Sequence, residues 1–173
     1  MKIVLQKELQ GKILDIGGGG EGIIGRLYGP QVIAIDYRQD ELDEAPASCE
    51  KRLMDATALD FADNTFDHVT AFFTMMFMAK ESHAKAIAEA ARVLRPGGQL
   101  HIWDVPMETA SPFLVDLEID LAGQLIRTTY GVGKADAQQD AAWFLALGEQ
   151  SGLQPVGPVV DNPYIELRFA KSP

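Results

Sequence analysis

The stretch "ILDIGGGGEGIIGRL", residues 13–27, decides the fold. An apolar run ends at Ile16, four consecutive glycines follow, and a helical pattern of apolar residues begins at Gly22. A strand, a glycine turn and a helix in this order place backbone N–H groups at the mouth of a parallel sheet, where ligands usually bind. The sequence therefore predicts a ligand crevice directly above this strand.

Beyond that stretch, apolar β-rich runs alternate with helical patterns, which is typical of an α/β fold. We predict a single domain, 1–173, with a Rossmann-like, doubly wound, mostly parallel seven-stranded sheet and an antiparallel last strand. Predicted strands are 12–16, 31–36, 50–54, 66–73, 99–105, 156–160 and 164–170, and predicted helices are 22–28, 82–94 (capped by Ser82) and 136–151. The strict alternation over 113–121, followed by "AGQ", predicts an inserted β-hairpin after strand five, within about 111–133.

Composition narrows the class of protein. The chain of 173 residues has 15 Lys and Arg against 25 Asp and Glu, a formal charge of −10, and shows no basic cluster. A protein that binds nucleic acid must neutralise many phosphates with Lys and Arg side chains, so we predict no nucleic-acid partner. The apolar run 69–79 is too short to span a bilayer, the N-terminus has no stretch of signal-peptide length, and one cysteine, Cys49, fits a reducing compartment. We therefore expect a cytoplasmic protein with no membrane partner.

Carboxylates around the glycine turn indicate the ligand. Gly17, Gly19 and Gly22 satisfy the G-x-G-x-x-G fingerprint of dinucleotide sites. Asp15, however, would lie beneath the loop, where a carboxylate opposes a diphosphate and suits an ammonium or sulfonium. Asp36, ending strand two, could accept both ribose hydroxyls. These two positions suit a ligand that carries a ribose and a cationic group.

The third predicted strand completes the adenosine site. Asp55 would follow that strand and suits an adenine amino group, with the Ala56 N–H available to a ring nitrogen. The three carboxylates together describe an adenosine with a cationic amino-acid tail, which is S-adenosylmethionine.

Four stretches now resemble class I S-adenosylmethionine-dependent methyltransferases of the small-molecule type. They are "ILDIGGGGEG", "VIAIDYRQDEL", "MDATALDFADNTFDHVTAFFTMMFM" and "ARVLRPGGQLHIWD", and they make about 12–104 the cofactor-binding half. The resemblance implies that S-adenosylmethionine is bound and S-adenosylhomocysteine is released. The cofactor-binding residues that it implies are Asp15, Gly17, Gly18, Gly19, Asp36, Tyr37, Asp55, Ala56 and the backbone near Phe72. Glu21 departs from the pattern, because the family usually has glycine there.

The sequence also gives expectations for the methyl acceptor and for the chemistry of transfer. A small-molecule acceptor is predicted, and Asp104, just past strand five, is the best acid to touch it, although an acid that simply ends the strand is the plainer interpretation. In-line methyl transfer needs alignment and exclusion of water rather than an obligatory triad, so no catalytic residue is assigned. The histidines lack metal-ligand spacing, and no metal is predicted. The hairpin is expected to cover the crevice, with a homodimer or partner subunit as the alternative.

Two other functions stay open. One is a methyltransferase-like binding subunit that does not turn over. The other is an NAD(P)-binding oxidoreductase, for which "YGVGK", residues 130–134, has the Tyr–Lys spacing of short-chain dehydrogenases. That spacing works on a helix, and two intervening glycines disfavour a helix here.

Overall fold

The computed structural model describes residues 1–108, 112–133 and 138–173. This part of the chain contains two β-sheets and four α-helices. The strands are β1 (Lys2–Leu5), β2 (Ile13–Ile16), β3 (Val32–Asp36), β4 (Glu50–Leu53), β5 (Phe66–Phe72), β6 (Leu94–Asp104), β7 (Phe113–Leu121), β8 (Gln124–Val132), β9 (Leu153–Pro155) and β10 (Ile165–Lys171). The helices are α1 (Ile23–Tyr28), α2 (Gln39–Glu44), α3 (Lys80–Val93) and α4 (Ala141–Gln150). Single 3₁₀ turns lie at Gly29–Gln31 and Met75–Phe77.

The larger sheet has the strand order β4-β3-β2-β5-β6-β10-β9. β2 to β6 run parallel where they pair, and β10 is antiparallel to both β6 and β9. The fold is Rossmann-like. Its strand order reverses between β2 and β5, and in such sheets ligands bind outside the carboxyl ends of the strands at that point.

Different elements cover the two faces of this sheet. Helices α3 and α4 lie on one face, where Ile87 and Phe144 pack with Phe169 of β10. On the other face α1 packs beside the smaller sheet, so that Ile24 belongs to the same core as Trp103 of β6 and Ile119 of β7. One face of the larger sheet is thus covered by two helices, and the other face is covered by α1 together with a three-stranded sheet.

The smaller sheet has the order β1-β7-β8. β7 and β8 form an antiparallel hairpin whose two-residue loop, Ala122 and Gly123, has φ of 50° and 97°. Positive φ at both positions is characteristic of type I′ hairpin turns. The alternation along β7 buries Val115 and Leu117 against the larger sheet and leaves Asp116 outside.

Several element boundaries differ from the predictions. Helix α3 begins at Lys80 with Ala79 as its N-cap, so Ser82 lies inside the first turn and caps nothing. β6 begins at Leu94, directly after the helix, because Leu94 pairs with Phe66 of β5. The following Arg-Pro-Gly-Gly residues are accommodated as an irregularity in that pairing, with φ of 77° at Gly97.

The C-terminal part is also shifted along the chain. The strand predicted at 156–160 is instead β9, and Val160 makes an isolated bridge to Glu166. Helix α4 begins at Ala141 because the carboxylate of Asp140 caps it, accepting a hydrogen bond of 2.6 Å from the Trp143 N–H. Residues 136 and 137, which begin the predicted helix, lie outside the described residues.

Strand β1 was not predicted. It pairs with β7 rather than with the larger sheet, and it buries Ile3 and Leu5. Across the described residues, no helix is both long and apolar enough to cross a membrane.

Candidate functional site

A cavity of about 670 Å³ opens at the carboxyl ends of β2, β3 and β5, between the glycine turn and the hairpin. Its walls come from both sheets. The residues that line it are Ile16, Gly17, Gly19, Gly20, Glu21, Arg26, Ile35, Asp36, Tyr37, Arg38, Glu41, Glu44, Met54, Asp55, Ala56, Phe72, Phe73, Thr74, Phe77, Met78, Thr129, Tyr130 and Gly131. The cavity lies where the strand order of a Rossmann-like sheet reverses, as expected for a ligand site.

The glycine turn is held close to its neighbours. The N–H groups of Gly17 and Gly18 both donate to the Ile35 carbonyl, at 2.8 and 3.0 Å. Gly17 has φ of 71°, and a Cβ built there would lie 2.4 Å from the Thr74 side chain. The turn therefore has no room for a side chain at this position, and a ligand can approach its backbone directly.

Asp36 ends β3 beside this turn, and Tyr37 follows the strand. Asp36 Oδ1 accepts a hydrogen bond of 3.0 Å from the Arg38 N–H. Its Oδ2 points toward the turn, because a Cβ built on Gly19 would lie 2.9 Å from it. Tyr37 is 71% exposed and forms part of the cavity rim. The arrangement leaves a carboxylate oxygen at the cavity wall.

Asp55 and Ala56 follow β4 on the other side of the cavity. Asp55 Oδ1 accepts hydrogen bonds of 2.8 Å from both the N–H and the hydroxyl of Thr57. These bonds lower the pKa of the Asp55 carboxyl, so the group is ionised at neutral pH. A carboxylate with one oxygen fixed by its own turn is held ready to accept hydrogen bonds from a ligand.

The charge of the lining is mainly negative. It carries five carboxylates, Glu21, Asp36, Glu41, Glu44 and Asp55, against two arginines. Both arginines are engaged locally: Arg38 forms ion pairs with Asp40 and Glu41, and the Arg26 Nε–H donates to the Glu21 carbonyl at 2.6 Å. The lining therefore disfavours a diphosphate and favours a cationic ligand.

Comparison with known proteins agrees with this geometry. Residues 14–102, just over half of the chain, match the family described as a methyltransferase domain. The chain belongs to the class I S-adenosylmethionine-dependent methyltransferase family. It is 46% identical over 115 residues to a demethylmenaquinone methyltransferase from Renibacterium salmoninarum, covering 59% of this chain and 44% of the relative. A methyltransferase from Streptomyces halstedii is 33% identical over 173 residues, with 86% of this chain and 59% of the relative covered.

A solved structure shares the fold of this methyltransferase domain. It is an S-adenosylmethionine-dependent methyltransferase from Methanosarcina mazei, with a TM-score of 0.67 and 16% identity, covering 95% of this chain and 94% of that one. The chain spans less than half the length of the first curated relatives that it matches, 44% and 41%.

Most residues predicted to bind the methyltransferase cofactor lie together on the cavity wall. They are Gly17, Gly19, Asp36, Tyr37, Asp55, Ala56 and Phe72. Two others, Asp15 and Gly18, lie behind the wall. Asp15 is 2% exposed, and its Oδ1 accepts a hydrogen bond of 2.7 Å from the Thr70 hydroxyl. A Cβ on Gly18 would point at Asp15 rather than at the cavity, 2.6 Å from Oδ2.

Asp104, the acid predicted to touch the acceptor, lies outside the cavity lining. This carboxylate is fully buried and does not belong to the cavity lining described above. Its oxygens accept hydrogen bonds from the N–H groups of Met76 and Val105, at 3.2 and 2.8 Å, and from Gln139 Nε2 at 2.7 Å. Asp104 therefore ties the end of β6 to Gln139 and to the turn at Met75–Phe77.

Sequence reasoning missed several lining residues on the hairpin side. Thr129 and Tyr130 reach the cavity from β8, and Glu21 binds both Thr128 and Tyr130. The one sequence signal for this side of the cavity was Glu21, which stands where the family usually has glycine. Tyr130 lies in strand β8, whereas the Tyr–Lys spacing of short-chain dehydrogenases requires a helix at the tyrosine. Lys134 is outside the described residues.

The structure gives no sign of a metal site within the residues it describes, since no group of three or more His, Cys, Asp or Glu is placed to hold an ion there.

Asp15 gives a pH-dependent prediction. Burial raises its pKa from 3.8 to about 7, with Asp36 adding to the rise and the Thr70 hydrogen bond opposing it. A carboxyl that keeps its proton longer in the folded state makes the fold less stable as pH rises from about 4 to about 7. Between about pH 5.5 and about pH 8, the wild type should therefore lose about 2 kcal/mol more unfolding free energy than Asp15→Asn. Urea unfolding at both pH values measures this, and equal losses would show that Asp15 is ionised in the fold.

Proposed function

We propose that the chain binds S-adenosylmethionine in this cavity and transfers its methyl group to a small-molecule acceptor. The observation that carries the proposal is a cavity of about 670 Å³ at the strand-order reversal, bounded by a glycine turn and by carboxylates on β3 and after β4. Its volume is within the range of small-molecule sites. The relatives named as methyltransferases support the same activity.

The residues fit this cofactor by their chemistry. The turn at Gly17 and Gly19 can receive the methionine part, since both glycines line the cavity and carry no side chain that would cover their backbone. Asp36 would accept the ribose hydroxyls, and Asp55 with the Ala56 N–H would pair with the adenine edge. The excess of carboxylates matches a ligand that carries an ammonium and a sulfonium and no phosphate.

The protein's contribution to the reaction follows from these positions. When bound, the cofactor would supply an electrophilic methyl group, which bonds to the acceptor as its bond to sulfur breaks in line and S-adenosylhomocysteine leaves. The cavity walls bring the acceptor and the methyl group together and exclude water, and these effects account for much of the rate of such reactions. No side chain need remove a proton unless the acceptor carries one that must leave.

The acceptor is proposed to be a small molecule and not a nucleic acid. The chain has a formal charge of −10, which opposes a polyanion. The demethylmenaquinone methyltransferase among the relatives supports a small-molecule acceptor but does not identify the one used here. The segment at about 111–133 is proposed as the hairpin insertion that covers the crevice; residue 111 lies outside the described residues.

Calorimetry tests the proposal. S-Adenosylmethionine and S-adenosylhomocysteine should bind the wild type, while NAD⁺ should not. Asp55→Ala should weaken both by about tenfold, as loss of a hydrogen bond to a charged group does. Asp60→Ala, which removes an exposed carboxylate outside the cavity, is the control and should leave the affinities unchanged. Binding of NAD⁺ in place of S-adenosylmethionine would contradict the proposal.

A further inference from the structure

Three aromatic rings form one wall of the cavity on its hairpin side. The ring centroid of Tyr130, on β8, lies 5.7 Å from that of Phe73 and 6.2 Å from that of Phe77. Phe73 follows β5 and Phe77 ends the 3₁₀ turn, so the wall joins elements of both sheets. Phe77 is 48% exposed although it is a large apolar side chain. We call Phe73, Phe77 and Tyr130 the aromatic wall.

The backbone at Phe73 has an uncommon conformation. Its φ is 50°, in the left-handed region that bulky side chains rarely adopt. The Phe73 N–H donates to the Trp103 carbonyl at 2.7 Å, and this bond helps to hold the conformation. Residues kept in such conformations cluster at binding sites, where the surrounding structure imposes them. At Phe73 the conformation brings the ring against Tyr130.

Glu21 fixes the third ring of the wall. Its Oε2 accepts a hydrogen bond of 3.0 Å from the Tyr130 hydroxyl, and its Oε1 accepts one from the Thr128 hydroxyl. Burial and the adjacent Glu21 carboxylate raise the pKa of Tyr130, so the hydroxyl keeps its proton and remains a donor. The residue that departs from the family's glycine pattern is therefore the one that joins the glycine turn to the hairpin.

The charges beside the wall restrict what can bind there. Glu21 and Glu41 belong to the same cavity lining, and the Glu21 carboxylate is directly bonded to the wall. An anionic group placed here would face these two carboxylates, and like charges repel each other. The faces and edges of aromatic rings, by contrast, pack well against another ring.

We infer that the aromatic wall is the acceptor subsite, that it takes an aromatic ring without negative charge, and that Glu21 positions Tyr130 within it. The inference rests on the proposed function, because the ring bound at the wall would be the methyl acceptor. It names a substrate class and two residues, Glu21 and Tyr130, whose roles are distinct. Tyr130 contacts the acceptor, whereas Glu21 acts through Tyr130.

The test uses the full chain saturated with S-adenosylhomocysteine and three probes of similar size. 2-Naphthol is uncharged and aromatic, 2-naphthoate is aromatic and anionic, and 2-decalol is uncharged and saturated. We expect 2-naphthol to bind at least about tenfold more tightly than either of the others. Equal binding of 2-naphthoate would overturn the charge requirement, and equal binding of 2-decalol would overturn the requirement for an aromatic ring.

Variants separate the two roles. Tyr130→Ala should weaken 2-naphthol by at least about tenfold, since it removes a ring of the wall, and Tyr130→Phe should weaken it by a few-fold. Glu21→Ala should match Tyr130→Phe, while Glu21→Gln, which keeps an acceptor oxygen, should recover most of the affinity. S-Adenosylhomocysteine should bind Tyr130→Ala and Tyr130→Phe within about twofold of the wild type, which also shows that they fold. The Glu21 variants are compared at saturating S-adenosylhomocysteine, because Glu21 is one of the carboxylates that line the cavity.

Tyr164 provides a matched control. Its hydroxyl bonds Glu166 at 3.4 Å, and it lies outside the cavity lining, so Tyr164→Phe should change neither affinity. If 2-naphthol binds Tyr130→Ala as tightly as the wild type, or fails to bind the wild type carrying S-adenosylhomocysteine, the acceptor subsite is wrong while the proposed function stands. If S-adenosylhomocysteine itself does not bind the wild type, the proposed function is wrong.

Discussion

Asp36→Ala is expected to weaken S-adenosylmethionine binding by at least about 100-fold, because each hydrogen bond to a charged group contributes about 1.5–3 kcal/mol and the ribose offers two hydroxyls to this carboxylate. The structure places Asp36 Oδ2 beside the glycine turn, with Oδ1 fixed by the Arg38 N–H at 3.0 Å. Calorimetry of both proteins at the same ionic strength measures the difference.

Asp43→Ala is the matched control for this prediction. Asp43 lies on α2, is exposed and does not line the cavity, so its removal changes the net charge equally without touching the site. Its affinity for S-adenosylmethionine should equal that of the wild type within about twofold. If both variants lose affinity to the same extent, Asp36 acts only through its charge at a distance and does not contact the ribose.

Gly18→Ala is expected to damage both the fold and the site. A Cβ there would lie 2.6 Å from Asp15 Oδ2 and 2.7 Å from Ala34 Cβ. Both neighbours are buried within the sheet, so the turn must lift away instead. Such overpacking costs about 1–3 kcal/mol of unfolding free energy. Because the lifted turn no longer follows the cavity wall, affinity for S-adenosylmethionine should fall by at least about tenfold.

Urea unfolding and calorimetry on the same preparation measure both effects. Gly133→Ala is the control, since a Cβ there would meet no atom within 4 Å in the part of the chain that the structure describes. That variant should retain wild-type stability and affinity. Unchanged S-adenosylmethionine binding in Gly18→Ala would mean that the ligand does not depend on the position of the turn.

The central strands β2 and β3 were predictable because each is a short, mostly apolar run. β2 and β3 are almost continuously buried, and buried parallel strands carry such runs. The carboxylates at Asp36 and Asp55 could be placed from the same pattern, since the carboxyl ends of parallel strands meet at one edge of the sheet. Their positions on the cavity wall follow from strand order alone.

Other features depend on contacts that periodicity does not encode. β1 pairs with β7, more than a hundred residues away, and a run as short as "KIVL" carries no partner information. The burial of Asp15 and Asp104 depends on Thr70 and Gln139, which lie far from them in sequence. The role of Glu21 could not be predicted without knowing that the hairpin folds back over the glycine turn. Its two hydrogen-bond partners, Thr128 and Tyr130, are 107 and 109 positions away in the sequence.

The hairpin belongs to a different sheet from the strands that would hold adenosine, and it meets their glycine turn through Glu21. On the proposed assignment, recognition of the donor and recognition of the acceptor are thus encoded in separate segments of the chain. Sequence changes along β8 can then diversify which molecule is modified while the donor-binding segments stay intact. Exchange of this one hairpin between relatives offers a compact route to new acceptor preferences.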